Sequence, residues 1–242
     1  MPKSRLDVLL VSRNLAESRD WAQRLIRAGE VRVNEQVIDQ PAKLFDASVV
    51  IVVQQPPKYV SRGGFKLEAA LDQFHVDPTG WVCADVGSST GGFTDCLLQR
   101  GAAKVYALDV GTNIMHWKMR NDPRVVLTEK TNVRFVDALP EPVQLAVIDV
   151  SFISLSLILP KVFGWMKDGG SVIALIKPQF EAGREKVGKG GIVRNSAVHV
   201  EVVERIKDFA EKKSWHTRGL IESPILGGDG NKEFLIWLGM GK

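Results

Sequence analysis

The chain has few of the residues on which disulfide, metal and membrane chemistry depend. It has only two cysteines, Cys83 and Cys96, and both lie in apolar surroundings, so we expect small buried side chains and neither a disulfide nor nucleophiles. The four histidines are scattered without metal-ligand spacing, and we therefore expect no metal site. Because no apolar run is long enough to span a membrane and no signal-like segment follows Met1, we expect a cytoplasmic protein without a membrane segment.

Charge and length set only broad limits on what this protein is. The formal net charge of +4 is mild, which is compatible with an anionic partner without requiring one. With 242 residues and 45% hydrophobic residues, the chain can form one large or two smaller domains around a sizeable core.

A glycine-rich turn is the most informative feature of the chain. It runs from Asp85 to Gly92, between an apolar strand-like segment and a helix-like segment that begins near Phe93. In α/β proteins, a turn of this kind at the carboxyl end of a strand lies beside a nucleotide-like ligand. Its glycines are Gly87, Gly91 and Gly92. This spacing fits neither the dinucleotide fingerprint nor the phosphate-binding P-loop.

A second acid narrows the choice of ligand. Asp109 ends the next apolar strand, 24 residues after Asp85, where a carboxylate can accept the hydroxyls of a ribose. Dehydrogenases and S-adenosylmethionine (SAM) methyltransferases share this acid, but D-x-G-x-x-x-G-G-F is typical of the methyltransferases. The alternative is a glycine turn without a ligand. The predicted cofactor-binding residues are Asp85, Gly87, Ser88, Ser89, Thr90, Gly91, Gly92, Phe93, Asp109 and, near the adenine, Asn132.

The order of the predicted elements indicates two domains. Helical and strand-like segments alternate from residue 59 onward, which predicts an α/β, Rossmann-like fold of the SAM-dependent methyltransferase type. Seven strands, the last of them antiparallel, are expected at 82–87, 104–109, 124–128, 143–149, 171–176, 216–222 and 233–238. We assign 59–242 to this domain, and 1–58 to a small α+β domain ending in a linker around Pro56-Pro57.

The first 58 residues have their own pattern. One helix is predicted from Arg5, a second after an N-cap at Ser18, a strand pair around Asn34-Glu35, and a further strand over 49–53. The runs R-L-D-x-x-L, S-R-x-x-A-Q-x-L-I and A-G-x-V-x-V-N together resemble the S4 RNA-binding domain.

This resemblance implies recognition of structured RNA by arginine side chains. The predicted RNA contacts are Arg5, Arg19, Arg24, Arg27 and Arg62, and Arg13 and Arg32 belong to the same series. The alternative is a solvated helical face, because acidic residues are interleaved with the arginines. These acids are Asp7, Glu17, Asp20, Glu30 and Glu35.

Four charged residues at element ends are candidates for catalysis: Lys66, Asp149, Lys177 and Glu233. A methyl acceptor such as a ribose 2'-hydroxyl is a weak acid that needs a base or a cation beside the developing alkoxide. Methylation at pyrimidine C5 would need a Pro-Cys nucleophile, and methylation of an exocyclic amine typically uses a D/N-P-P-Y/F strand end. Neither pattern is present around Asp149 or the cysteines. The alternative is four unrelated surface charges.

The same four residues resemble the K-D-K-E tetrad of FtsJ-like ribose 2'-O-methyltransferases, and with the S4-like segment the chain is similar to the TlyA family. Further matches are S-R-G-G-x-K-L at 61–67, D-V-S-F-I-S at 149–154, L-I-K-P-Q-F-E at 175–181 and G-x-G-G-I-V-R at 188–194. The resemblance implies methyl transfer from SAM to cytidine 2'-hydroxyls of ribosomal RNA. Lys177 would deprotonate the hydroxyl or steady its alkoxide, Asp149 would position Lys177, and Lys66 and Glu233 would hold the target ribose.

The sequence leaves the roles of two regions undecided and allows two alternative functions. Residues 179–195 are rich in glycine and basic residues, which suggests a lid or simply a solvated loop. Ile114 stands where the family carries glutamine, which leaves the substrate contacts nearby open. Because relatives are often labelled hemolysins, a membrane-active protein is one alternative, and a catalytically silent SAM-binding assembly factor is the other. The target nucleotide, the ribosomal subunit and the oligomeric state stay undetermined.

Overall fold

The structure, a computed structural model, describes residues 3–16, 18–54 and 58–240. It forms two compact units, Met1–Lys58 and Tyr59–Lys242. The two prolines of the predicted linker and the acidic Glu17 lie outside the described residues.

The smaller unit contains two short helices and two small antiparallel sheets. Its elements are β1 (Lys3–Arg5), α1 (Leu6–Ser12), α2 (Arg19–Arg27), β2 (Val31–Val33), β3 (Gln36–Val37), β4 (Leu44–Asp46) and β5 (Ile51–Val53). Strands β1 and β4 form one sheet, and β3, β2 and β5 form the other in that order. As predicted, Ser18 caps α2 by accepting a hydrogen bond from the Trp21 N–H. Leu6, Leu10 and Ile26 are fully buried in the core of this unit.

The structure corrects three details of this region. The first helix begins at Leu6, because Arg5 still belongs to β1. The last strand begins at Ile51 and not at Val49, whose N–H donates to the Asp46 carbonyl in a turn. Strands β1 and β4 were not predicted, since three-residue strands are too short to give a recognisable alternation.

The larger unit alternates helices and strands, as expected. Its helices are α3 (Gly63–Phe74), α4 (Gly92–Gln99), α5 (Trp117–Arg120), α6 (Leu155–Phe163), α7 (Pro178–Glu181) and α8 (Ser196–Glu211). Its strands are β6 (Val82–Val86), β7 (Lys104–Leu108), β8 (Val125–Thr128), β9 (Val143–Ile148), β10 (Met166–Ile176), β11 (Trp215–Glu222) and β12 (Phe234–Met240). Short 3-10 turns occur at Val133–Phe135, Arg184–Lys186 and Gly228–Gly230.

The seven strands form one mixed sheet in the order β11-β12-β10-β9-β6-β7-β8. Strands β6 to β10 are parallel, and β12 is antiparallel to both of its neighbours, which confirms the predicted methyltransferase topology. Because β6 pairs with β7 on one side and with β9 on the other, the chain reverses its winding there. The crevice at this reversal is where open α/β sheets bind ligands.

The central strands are apolar because helices cover both faces of the sheet. Val143, Leu145 and Ile148 of β9 are fully buried. The two cysteines are buried and form no disulfide, as predicted. Strand β10 is longer than predicted, since a register shift between Met166 and Ser171 lets it extend past two glycines.

Gly87 is a position at which both the backbone conformation and the surrounding atoms disfavour any other residue. It follows β6 with a φ of +81°, a conformation that favours glycine, and an added Cβ would collide with the carbonyl oxygen of Asp149. The Gly87 N–H donates to Leu108 at 2.8 Å, and the Asp149 N–H donates to Val86 at 2.9 Å. The ends of β6, β7 and β9 are therefore held together at this one residue.

We expect Gly87→Ala to lower the free energy of unfolding by more than Gly80→Ala does. Gly80 also has a positive φ, of +74°, but an added Cβ there meets no atom within 4 Å, so its replacement measures backbone strain alone. That strain costs roughly 1–2 kcal/mol, and the collision at Gly87 should add at least about 1 kcal/mol. Urea unfolding of both variants tests this, and equal losses would show that the close approach to Asp149 carries no energy.

Candidate active site

Two clefts lie on either side of the glycine-rich turn at the carboxyl edge of the sheet. The first cleft is lined by Ser61, Arg62, Gly63, Lys66, Gly87, Ser88, Ser89, Thr90, Gly92, Phe93, Asp149 and residues 225–228. The second cleft includes Gly87, Ser89, Asp109, Ile114, Asn132, Val133, Asp149, Val150, Ser151 and Phe152. Since both include Gly87, Ser89 and Asp149, they form one continuous groove across the turn.

Backbone donors orient the Asp109 carboxylate at the second cleft. One oxygen accepts the Ser89 N–H at 2.7 Å, and the other accepts the Gly111 N–H at 2.7 Å. These two bonds hold the carboxylate next to the turn and still leave acceptor capacity on each oxygen. The arrangement can accept the hydroxyl groups of a bound ribose.

Asp85 and Gly91 lie beneath the turn and line neither cleft. Asp85 is fully buried, and one of its oxygens accepts the Thr94 hydroxyl at 2.6 Å. Its other oxygen, Oδ1, is buried without a partner among the described residues. Gly91 has a φ of +93° and packs against Met119, so its role in the structure is conformational.

Burial controls the charge state of Asp85. Removal from water raises the pKa of its carboxyl to about 7, and the Thr94 hydrogen bond opposes part of this increase. The charges of Asp149 and Asp109 add to the increase. Two further carboxyl groups, those of Asp109 and Asp149, line the groove itself, which favours a cationic ligand over a diphosphate.

The four candidate catalytic residues form two ion pairs. Lys177, at the end of β10, lies 2.5 Å from Asp149 at the end of β9, and it donates to the Ser151 hydroxyl at 3.0 Å. Lys66 on α3 lies 2.5 Å from Glu233, which precedes β12, and both side chains are almost completely buried. Parallel strand ends explain the first pair, whereas the second joins residues 167 positions apart in the sequence.

A third cleft connects the two ion pairs. It is lined by Ser151, Phe152, Lys177, Gln179, Phe180, Gly183, Arg184, Val187, Gly188, Gly191, Gly228, Asn231 and Glu233. It shares Ser151 and Phe152 with the second cleft and Gly228 with the first. Lys177 and Asp149 therefore lie where the three clefts meet.

An exposed aromatic ring stands at the entrance to the third cleft. Phe152 is 90% exposed, has a φ of +64°, and lies with its ring centroid 4.8 Å from that of Phe180. A bulky residue in the left-handed region is a strained exception that usually has a function. An aromatic ring in this position can stack on a planar base.

Asn132 has a role that the sequence did not indicate. Its side-chain oxygen accepts the N–H and the Nε–H of Arg134, so it caps the 3-10 turn Val133–Phe135. Its amide still borders the second cleft. Ile114, which stands where the family carries glutamine, also lines the second cleft.

Within the smaller unit, a buried carboxylate holds two of the candidate RNA-binding arginines. Asp7 is fully buried and accepts hydrogen bonds from Arg5 at 2.9 and 3.0 Å, from Arg19 at 3.1 Å and from Gln23 at 2.9 Å. The bonds from Arg5 hold the pKa of the Asp7 carboxyl well below its usual range. Arg24 makes no ion pair with the described residues, and Arg27 contacts only Gln23 among them.

The other arginines of the series either bond to backbone carbonyls of the smaller unit or line the first cleft. Arg13 donates to the carbonyl oxygens of Ala47 and Val49, and Arg32 donates to that of Glu35. Arg62 is exposed and lines the first cleft of the larger unit.

Sequence reasoning missed Phe152, Phe180, Asn231 and the buried role of Asp7. The first two lie inside matched motifs, but only the structure reveals that Phe152 is exposed and that its ring lies against Phe180.

Comparison with known proteins identifies relatives of both units. Residues 59–240 match the family described as FtsJ-like methyltransferase, and residues 4–51 match the S4 domain. The Bacillus subtilis protein named "Putative rRNA methyltransferase YqxC" is 51% identical over 99% of this chain and 88% of its own length. The Mycobacterium tuberculosis "16S/23S rRNA (cytidine-2'-O)-methyltransferase TlyA" is 41% identical over 98% of this chain and 90% of its own length.

A solved structure supports the fold. The protein titled "Putative hemolysin from Streptococcus thermophilus" is 46% identical, has a TM-score of 0.75, and covers 100% of this chain and 90% of its own. In the part of this chain that the structure describes, no helix combines the length and apolar character needed to cross a membrane.

We expect Asp85→Asn to stabilise the protein at pH 8 and to have a smaller effect near pH 4. A carboxyl whose folded pKa is about 7 stays protonated when the unfolded chain has already ionised, so the wild type loses stability as pH rises from 4 to 7. Asparagine keeps the shape without this cost, which amounts to at most about 4 kcal/mol. Urea unfolding across this pH range is the measurement, and a stability difference independent of pH would contradict the buried, protonated carboxyl.

Proposed function

This chain belongs to the TlyA family, in which an S4 domain precedes an FtsJ-like methyltransferase domain, and we propose that it transfers a methyl group from SAM to the ribose 2'-hydroxyl of cytidine in ribosomal RNA. The observation that carries this proposal is the Lys177–Asp149 ion pair at the meeting point of three clefts. We assign residues 1–58 to RNA recognition and the linker, and residues 59–242 to catalysis.

The groove across the glycine turn suits SAM better than a dinucleotide. SAM carries a positive sulfonium, and the carboxyl groups of Asp109 and Asp149 line the groove, whereas the turn itself contributes no basic side chain. In this assignment, the first cleft holds the methionine end through the backbone of residues 87–93. Asp109 binds the ribose hydroxyls, and Ile114 and Val133 flank the adenine.

Asp85 supports the cofactor site from below. It does not reach either cleft, but its carboxyl lies under the turn and fixes α4 through Thr94. Asn132 acts in a similar way, since it fixes the turn that carries Val133 at the adenine side.

The catalytic step needs a neutral amine and an aligned hydroxyl. SAM, when bound, supplies an electrophilic methyl group. Lys177 takes the proton from the ribose 2'-hydroxyl, and Asp149 and Ser151 hold the lysine in place at 2.5 and 3.0 Å. The resulting lysine cation then stabilises the oxygen as it attacks in line.

Lys66 and Glu233 position the target nucleotide. Their ion pair is buried at the boundary of the first and third clefts, so Lys66 can donate to a ribose or phosphate oxygen and Glu233 can accept a hydrogen bond from a ribose hydroxyl. Phe152 lies beside the third cleft with an open ring face, on which the target base can stack. These contacts orient the ribose towards Lys177.

We expect Lys177→Met and Lys177→Arg both to lower kcat by about 10²–10⁴-fold, because arginine keeps the charge but cannot act as a base near neutral pH. Asp149→Asn should lower kcat as well, since it leaves the lysine without its partner charge. Transfer of labelled methyl groups from SAM to ribosomal subunits measures this, with the modified nucleotide mapped by mass spectrometry.

The exposed pair Lys161–Asp137, at 2.6 Å, offers a matched control. Lys161→Met should leave kcat unchanged, and SAM affinity should change less than about threefold in both Lys177 variants. Full activity of Lys177→Arg would mean that the lysine acts only through its charge. Tight SAM binding by the wild type without transfer to any RNA would favour the silent assembly factor.

The smaller unit provides an RNA-binding face in this proposal. Arg24 and Arg27 are exposed, and among the described residues their only hydrogen-bond or ion-pair partner is Gln23, which bonds Arg27. Asp7, by contrast, presents Arg5 and Arg19 in a fixed geometry with part of each side chain still exposed. A held arginine loses less conformational freedom when it binds RNA.

We expect the double variant Arg24→Gln/Arg27→Gln to weaken binding to ribosomal RNA and to reduce the slope of log affinity against log salt by about 1–2. Asp20→Asn on the same helix provides a control with unchanged slope or slightly tighter binding. Filter binding over a range of salt concentrations gives both values, and an unchanged slope in the double variant would remove α2 from the RNA interface.

A further inference from the structure

Asn231 is a buried polar residue to which the catalytic scheme above assigns no role. It is 2% exposed and lies two positions before Glu233, in the segment between β11 and β12. Its side chain makes two long-range hydrogen bonds, and both go to the segment that follows Lys177. Residues 182–195, the part of the predicted 179–195 segment that follows α7, are called the lid below.

The two bonds use the full geometry of the amide. The Asn231 oxygen accepts the Val193 N–H at 3.0 Å, and its nitrogen donates to the Gly191 carbonyl at 3.0 Å. The bonded residues are 38 and 40 positions apart in the sequence. An aspartate or a leucine of similar size could not make both bonds at neutral pH.

The lid has a fixed base and an exposed tip. Val193 is 2% exposed, and its carbonyl also contacts the His199 ring at 2.8 Å. Residues 183–186 and 188–191, by contrast, are exposed, and Gly183, Gly190 and Gly191 all have positive φ values. Asn231 and His199 thus fasten the point at which the lid returns to the core.

The other side of Asn231 is tied to the catalytic pair. Its carbonyl accepts the Gly227 N–H at 2.9 Å, and Gly227 packs so closely against Glu233 that a Cβ there would collide with its carboxylate. Glu233 in turn pairs with Lys66 at 2.5 Å. The side chain of Asn231 bonds to the lid and its main-chain carbonyl bonds to Gly227, so one buried residue connects the lid with the residues that line the first and third clefts.

We propose that Asn231 is a positioning residue that fastens the lid to the Glu233 segment. This fastening keeps the wall of the third cleft, where the target nucleotide would bind, aligned with the Lys66–Glu233 pair. This inference rests on the proposed function for its substrate, but the fastening itself is a property of the chain. Its loss should impair the use of RNA more than the binding of SAM, because Asn231 lines the third cleft only.

Asn231→Ala tests the proposal through two independent measurements. The exposed lid residues Arg184, Lys186 and Lys189 are trypsin sites, so the rate of cleavage there should rise on the order of tenfold when the base is released. With RNA as substrate, KM should rise or kcat fall so that kcat/KM drops on the order of tenfold, while the Kd for SAM changes less than about threefold.

Ser223→Ala is the matched control, because Ser223 is also buried in the β11–β12 segment but its hydroxyl donates only to Ile225 within that segment. It should leave lid cleavage and RNA kinetics unchanged. Asn231→Asp provides a second variant in case the alanine variant does not fold. It keeps the acceptor for Val193 and loses the donor to Gly191, so its cleavage rate should lie between those of the wild type and Asn231→Ala.

Two outcomes would overturn the proposal. Lid cleavage at the wild-type rate in both Asn231 variants would show that the amide does not fasten the lid. Equal losses in Ser223→Ala would show that general destabilisation of the segment is responsible. If the wild type does not methylate RNA at all, the proposed function fails, and the cleavage assay still decides the fastening.

Discussion

The close approach of β6 and β9 at Gly87 is the constraint on which the rest of the larger unit depends. Only a residue without a Cβ lets the turn pass the Asp149 carbonyl, and the Asp149 N–H bonds back to Val86. The contact places Gly87 of the groove directly beside Asp149, whose carboxylate pairs with Lys177. Geometry at the sheet reversal thus brings the candidate cofactor groove next to the Lys177–Asp149 pair.

Charged side chains also determine the properties of this crevice. Asp109 and Asp149 place carboxyl groups in the crevice, whereas burial keeps Asp85, which lies below it, protonated up to about pH 7. A buried carboxyl is costly for the folded state, as expected where a site favours function over stability. Lys177 and Lys66 are each paired with a carboxylate, so the cations that face the substrate are held in place without leaving an unpaired buried charge.

Much of the fold could be predicted because its signals are local. Apolar strands, the Ser18 cap and the glycine turn each depend on neighbouring residues, and the alternation of helices and strands then limits the topology to few choices. Errors occurred where the signal was short, as at β1 and β4, or where one strand continued past two glycines, as in β10. The site was harder to predict, since Phe152 and Asn231 are defined by exposure and by distant partners.

The sequence by itself determined which residues end the strands, and therefore that Asp109, Asp149 and Lys177 meet at one edge of a parallel sheet. It also determined, through its motifs, the family to which the chain belongs. Only the tertiary structure decided that Lys66 pairs with Glu233, that Asp85 lies below the groove, that Asp7 holds two arginines, and that the Asn231 side chain bonds to Gly191 and Val193. The physical reason is that periodicity encodes which face of an element is buried, whereas strand order and register decide which side chains meet there.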